Sequence, residues 1–160
     1  MRPVKIKLEG QFWDSQIYSG ELMLVGLDGS FHRIDWNEAV DSIAKKFPLF
    51  ETAVRVSFSD GELFYNPKVI KVFNDPMIKP VIINQLNSLS SADIIERFSS
   101  RDAFWQEESL PFDFLPSDTE VYYSRFYAAG EAGLYSTTKS QMGTKNNKSD
   151  LIKHHDSNVI

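Results

Sequence analysis

A mainly β fold is predicted here, built from antiparallel meanders with one or two helices inserted in the middle; an α+β arrangement is the alternative. Three observations predict it. Apolar runs are separated by Ser19-Gly20 and Asp28-Gly29, and Gly supplies the positive φ that hairpin turns need. Aromatic residues make up 13% of the chain, a bias toward pleated, half-buried surfaces. The same sequence of turn glycines and strand aromatics returns near the C-terminus.

Residues 12–18, 21–27 and 30–36 read as a three-stranded meander. The period then changes. Val40, Ile43, Ala44 and Phe47 are spaced for a helix, Asp35 or Asn37 can cap it, Lys45 and Lys46 suit its C-terminal dipole, and Pro48 stops it. From 52 to 58, Val54, Val56 and Phe58 alternate, predicting a strand that turns at Asp60-Gly61 and returns through 62–65. Residues 68–73 read as a further strand. Asn74-Asp75-Pro76 then opens a helix over 76–89, and 91–98 reads as a second short helix. The segment 99–116 is a loop that packs down through Phe104, Trp105, Phe112 and Phe114. Residues 117–138 form the last meander.

This gives a β-rich domain over 1–135, with a helical insertion around 37–98, and a disordered tail over 136–160. The tail has no Phe, Tyr or Trp and is rich in Ser, Thr, Asn and Lys, so it buries too little apolar surface to offset its ordering entropy. Net charge is −5; four Lys and two Asp give the tail +2 and leave the body at −7. An acidic body argues against nucleic acid as a partner, because phosphate neutralisation needs clustered Lys and Arg. No signal-peptide core and no apolar run near the ~20 residues of a membrane span is present, so a cytoplasmic protein without membrane partners is expected. With no cysteine there is no disulfide, zinc–thiolate site or thiol nucleophile.

No catalytic or nucleotide-binding signature occurs, and no catalytic residue, metal site or cofactor is assigned. His32 reads as a strand-face residue. His154-His155-Asp156 is a set of metal-ligand types, but adjacent histidines in a polar tail make an unspecific site. Glu107-Glu108 reads as a solvated turn. Trp13, Trp36, Trp105, Tyr18 and Tyr122 are candidates for a binding surface, with core packing as the other role open to them. Asp14 and Asp118 precede equivalent strands and suit strand-entry hydrogen bonds. With Asp113 they are also the carboxylates that acid–base chemistry at the sheet would need.

Setting Asp14 against Asp118 without gaps matches Tyr18 with Tyr122, Gly26 with Gly130, Gly29 with Gly133 and Phe31 with Tyr135. Either one supersecondary unit is repeated or two meanders share turn chemistry. As a repeat, 14–31 and 118–135 resemble the blades of β-propeller-type repeat proteins. The Gly-His and Trp-Asp signature of such repeats is missing, and the copies start 104 residues apart. Two or three blades do not close a ring of ~4–8. The resemblance implies an incomplete propeller: a piece of a longer protein or one member of an oligomeric ring. Its function would be a protein-interaction or scaffold module with a protein partner or self-association. A small-ligand-binding or hydrolytic domain using Asp14, Asp113 and Asp118 is the alternative.

Overall fold

The protein is mainly β with inserted helices and is not a closed propeller. The structure, a computed structural model, describes residues 4–59, 65–91, 94–138 and 150–156. Its contacts divide the chain into two compact units: 1–9, 19–21 and 34–105 in the first; 10–18, 22–33 and 106–160 in the second.

The first unit holds the helices. β1 (Lys5–Leu8) pairs in parallel with β5 (Ile95–Phe98), Lys5 opposite Ile95 and Leu8 opposite Phe98. α1 (Trp36–Lys46) starts where the Asp35 carboxylate accepts a hydrogen bond from the Glu38 amide at 3.0 Å. It buries Val40, Ile43 and Ala44 of the predicted stripe together with Ala39, while Phe47, the fourth predicted position, is half-buried at the C-cap. A 3₁₀ turn (Pro48–Phe50) follows, and then α2 (Glu51–Ser57).

α2 stands where alternation predicted a strand. Positions 54 and 58 fit helical as well as strand spacing, and a seven-residue run cannot separate the two by period. Side-chain partners favour the helix: Arg55 bonds Glu51 one turn earlier at 2.7 Å and also Asp41 of α1, while Ala53 and Val54 are buried. The Trp36 indole N–H donates to the Phe58 carbonyl at 2.5 Å, closing the end of α2. The predicted turn at Asp60-Gly61 and the start of its return strand lie outside the described residues.

α3 (Pro67–Phe73) replaces the strand expected over 68–73. Asn66 caps it by accepting from the Lys68 amide at 2.9 Å, and Pro67 occupies its first turn. α4 (Lys79–Ser91) matches the helix expected over 76–89 with a later start; Asp75 accepts from the Met77 amide at 2.8 Å, ahead of it. The second short helix expected over 91–98 is instead strand β5. The edge of β1 supplies its ladder, Lys46 pairs with Glu96 at 2.6 Å, and Phe98 meets Phe104 edge-on at 4.9 Å. Four residues are too few to announce a strand by period.

Two four-stranded antiparallel sheets carry the second unit. The first joins β2 (Phe12–Tyr18), β3 (Glu21–Gly26), β4 (Ser30–Asp35) and β6 (Trp105–Ser109), in that spatial order. The second joins β7 (Asp118–Tyr122), β8 (Arg125–Gly130), β9 (Gly133–Thr138) and β10 (Ile152–His155). β6 lies within the expected loop, and Trp105 and Phe112 are buried there, as its aromatics require. Met23, Val25 and Phe31 of the first sheet meet Val121, Phe126 and Ala128 of the second, with Phe112 completing the core. The ring centroids of Phe31 and Phe126 are 5.5 Å apart.

The expected disordered tail is corrected at 136–138 and 150–156; 139–149 and 157–160 lie outside the described residues. Residues 136–138 complete β9, and β10 pairs with β9, Ile152 opposite Ser136. Composition misses this strand because it needs no apolar burial: all four of its residues are exposed. Backbone pairing, an Asp150 carboxylate accepting from the Thr138 amide at 2.7 Å, and an Arg125–Asp150 approach of 3.7 Å hold it. The Thr138 side chain and amide, then Arg125, keep the Asp150 carboxyl below the usual carboxylate range. A carboxyl depressed by folding stabilises above its unfolded pKa and loses that contribution as pH falls through its folded value. Hydrogen exchange of the β10 amides is therefore expected to accelerate, relative to β7 and β8, when pH drops below ~4. Asp150→Asn is expected to remove that pH dependence.

Candidate functional site

The repeat is a structural one. The offset of 104 residues carries β3 onto β8 end to end and aligns the ends of β2 and β7 at Tyr18 and Tyr122. Each meander then gains a fourth strand beside its third. The turns within each first hairpin are also alike: Ser19 and Gly20 take φ 51° and 75°, Tyr123 and Ser124 take 46° and 59°. After the second hairpin the match slips by one residue. Three residues separate β3 from β4, with Gly29 at φ 81°, while two separate β8 from β9. Phe31 therefore joins the face of Met23 and Val25, whereas Tyr135 sits opposite Ala128 on the face of Phe126. The expected Phe31–Tyr135 match is corrected accordingly.

Between the sheets, β2 meets β7. Asp14 accepts from the Ser15 amide at 2.7 Å and from the Thr119 hydroxyl, and the Gln16 side-chain Nε2 donates to the Thr119 carbonyl at 2.9 Å. Asp14 lies inside β2 and does not precede the strand as its position predicted; it is a sheet-to-sheet clasp. Asp14→Ala and Thr119→Val are expected to cost less together than the sum of the single changes. A coupling of about 1.5 kcal/mol in a double-mutant cycle of denaturant midpoints is expected for this charged hydrogen bond.

The other candidates separate into two groups. Trp13 and Tyr18 pack against the core shared by the two sheets, and Trp105 is buried. Trp36 is bound to the Phe58 carbonyl. Asp118 and Tyr122 are exposed; Tyr122 is 60% accessible and meets Tyr123 edge-on at 4.6 Å. Tyr123, 78% accessible, is a further candidate that the pattern did not single out. Its signal was the Tyr-Tyr-Ser that stands where the first repeat has Tyr18-Ser19-Gly20.

A cleft of about 620 Å³ is lined by Asp28, Glu107, Glu108, Asp113 and aromatic residues, and neither Asp14 nor Asp118 lines it. Asp28 is held by Ser30, which donates its hydroxyl at 2.6 Å and its amide at 3.0 Å; these bonds keep its carboxyl low. Glu108, expected in a solvated turn, lies in β6 and faces Arg33 at 3.7 Å.

His32 is buried in β4, beside Ser30 at 2.9 Å and edge-on to Phe12. His154 meets the Ser136 hydroxyl at 2.8 Å and lies over Tyr127, and Asp156 pairs with Lys153 at 2.6 Å. Among the described residues, no group of three or more His, Asp or Glu is placed to hold a metal ion. None of their helices is long and apolar enough to cross a membrane.

No protein-family model, curated protein or solved structure matches this chain.

Proposed function

We propose that the chain is a non-catalytic protein-interaction or scaffold module, and that its two sheets are propeller-type blades stacked in order. One observation carries this reading: the same supersecondary unit occurs twice, and the first copy packs on the second through opposite faces. Asp14, Gln16, Met23 and Val25 belong to one face of the first sheet; Thr119, Val121, Phe126 and Ala128 belong to the other face of the second. Stacking of this kind is open-ended, since each added sheet presents the face its predecessor used. Exposed paired tyrosines on the second sheet suit an interaction surface, because tyrosine is enriched where protein contacts concentrate binding energy. A cytoplasmic location belongs to the same proposal.

The test is thermal unfolding of the chain at increasing protein concentration, in parallel with a small-molecule screen. A midpoint that rises with protein concentration supports association linked to folding. Saturable stabilisation by a small molecule, with no concentration dependence, would overturn the proposal in favour of a ligand-binding or hydrolytic domain.

A further inference from the structure

β1 and β5 put two cations side by side. Lys7 stands opposite Arg97 in the parallel register, so both side chains leave the same face of the pair, and that face is the exposed one. Lys5, two residues earlier on β1, adds a third positive charge there. Like charges on neighbouring strands repel and cost stability. Neither Lys7 nor Arg97 forms an ion pair with a described residue, although Glu96, next to Arg97 on the other face, takes Lys46 at 2.6 Å. Local rules give way at functional positions, and a repulsion that packing does not require points to a partner that balances it.

The two strands end at a cleft. Lys7, Leu8, Glu9, Arg97, Phe98 and Ser99 line a cavity of about 330 Å³ at their carboxyl ends. That volume is at the lower end of the ~300–1,000 Å³ of ligand sites. Its wall is fixed before any ligand arrives. The Glu9 amide donates to the Phe98 carbonyl at 2.8 Å, the Ser99 amide to the Asp102 carboxylate at 2.8 Å, and the Asp102 amide to the Ser99 carbonyl at 3.0 Å. The Ser99 hydroxyl accepts from the Arg101 amide at 3.4 Å and keeps its own hydrogen to donate. The lining thus offers an ammonium, a guanidinium and a hydroxyl, against the one carboxylate of Glu9. A planar guanidinium fork beside a point charge suits the oxygens of a phosphate. Two cations match a phosphate monoester, which carries about −1.5 to −2 at pH 7. Glu9 disfavours a ligand with further negative charge.

We propose that the cleft at the carboxyl ends of β1 and β5 binds a phosphate monoester group, with Lys7 and Arg97 on its oxygens and Ser99 donating to it. The site goes beyond the module reading: its residues belong to the first unit, whereas that reading rests on the sheets of the second. Thermal unfolding of the full chain in inorganic phosphate, with ionic strength held constant by sodium chloride, is expected to show a saturable rise in midpoint. Methyl phosphate is expected to act alike, and dimethyl phosphate, with a single charge, to bind about tenfold more weakly. Lys7→Gln and Arg97→Gln are each expected to weaken phosphate about tenfold, and Glu9→Gln to tighten it several-fold. Without phosphate, Lys7→Gln is expected to leave the midpoint at or above that of the parent chain, because a repulsion is gone.

A midpoint no higher in phosphate than in chloride would overturn the site, as would a rise that survives Lys7→Gln and Arg97→Gln together. Equal binding of dimethyl phosphate would overturn the monoester class. A lower midpoint for Lys7→Gln without phosphate would make Lys7 structural and overturn its place in the site. The dependence of the midpoint on protein concentration, read without phosphate, tests the module reading separately, so either reading can fail while the other stands.

Discussion

Phe126→Ala is expected to destabilise the chain by about 3–5 kcal/mol, read as a lower denaturant midpoint with an unchanged slope. Phe126 is fully buried, and its ring packs against those of Phe31 at 5.5 Å and Phe112 at 6.0 Å. Val121 and Ala128 belong to the same core, and they come from β strands whose hydrogen-bonded pairing limits how far the site can collapse around the void. Phe126→Leu, which keeps most of the volume, is expected to cost clearly less. Equal losses for the two variants would show that ring packing is not what holds the sheets together.

Gly133→Ala is expected to release β10 and to cost about 1–3 kcal/mol in backbone strain alone. Gly133 sits at φ 114°, and a Cβ there would collide with the His155 carbonyl oxygen. Glycine is needed at this one place both for its backbone angle and for the close passage of the last strand. Hydrogen exchange should report the loss at 152–155 first, while β7 and β8 keep their protection. Gly29→Ala makes the control: its φ is also left-handed, at 81°, but nothing lies within 4 Å of the position a Cβ would take. It should show the strain without the loss of β10.

Both meanders were legible in the sequence because their turns announce themselves: Ser19-Gly20, Asp28-Gly29 and the Gly130 to Gly133 segment each stand between apolar runs. α1 was legible for the same kind of reason, having a cap, an apolar stripe and a proline stop. The errors gathered in short apolar runs. Over 51–57 and 67–73 neither run is long enough for its period to decide, and caps or salt bridges from elsewhere tipped both to helix. β10 was hidden by polarity, since an edge strand held by backbone pairing and Asp150 leaves no hydrophobic trace.

Of the candidate site, Asp14, Tyr18 and Tyr122 were found through the repeat, and the structure puts the first two in the packing between sheets. Trp36 and Trp105 were named for their residue type alone, and both proved to be occupied within the first unit. Thr119 carries no signal in the sequence, since a threonine in a strand looks ordinary. Only its contact with Asp14, 105 residues away, makes it special.

The parallel pairing of β1 with β5 joins residue 5 to residue 95 across the whole helical segment. The second unit, for its part, begins before that segment and ends after it. Neither unit is contiguous in sequence, so a nascent chain cannot finish either one until well over half of it has emerged. Loop closure over such spans slows folding and leaves β1 and the first meander waiting with open edges. During synthesis, that interval is when the chain is most open to mispairing and to chaperones.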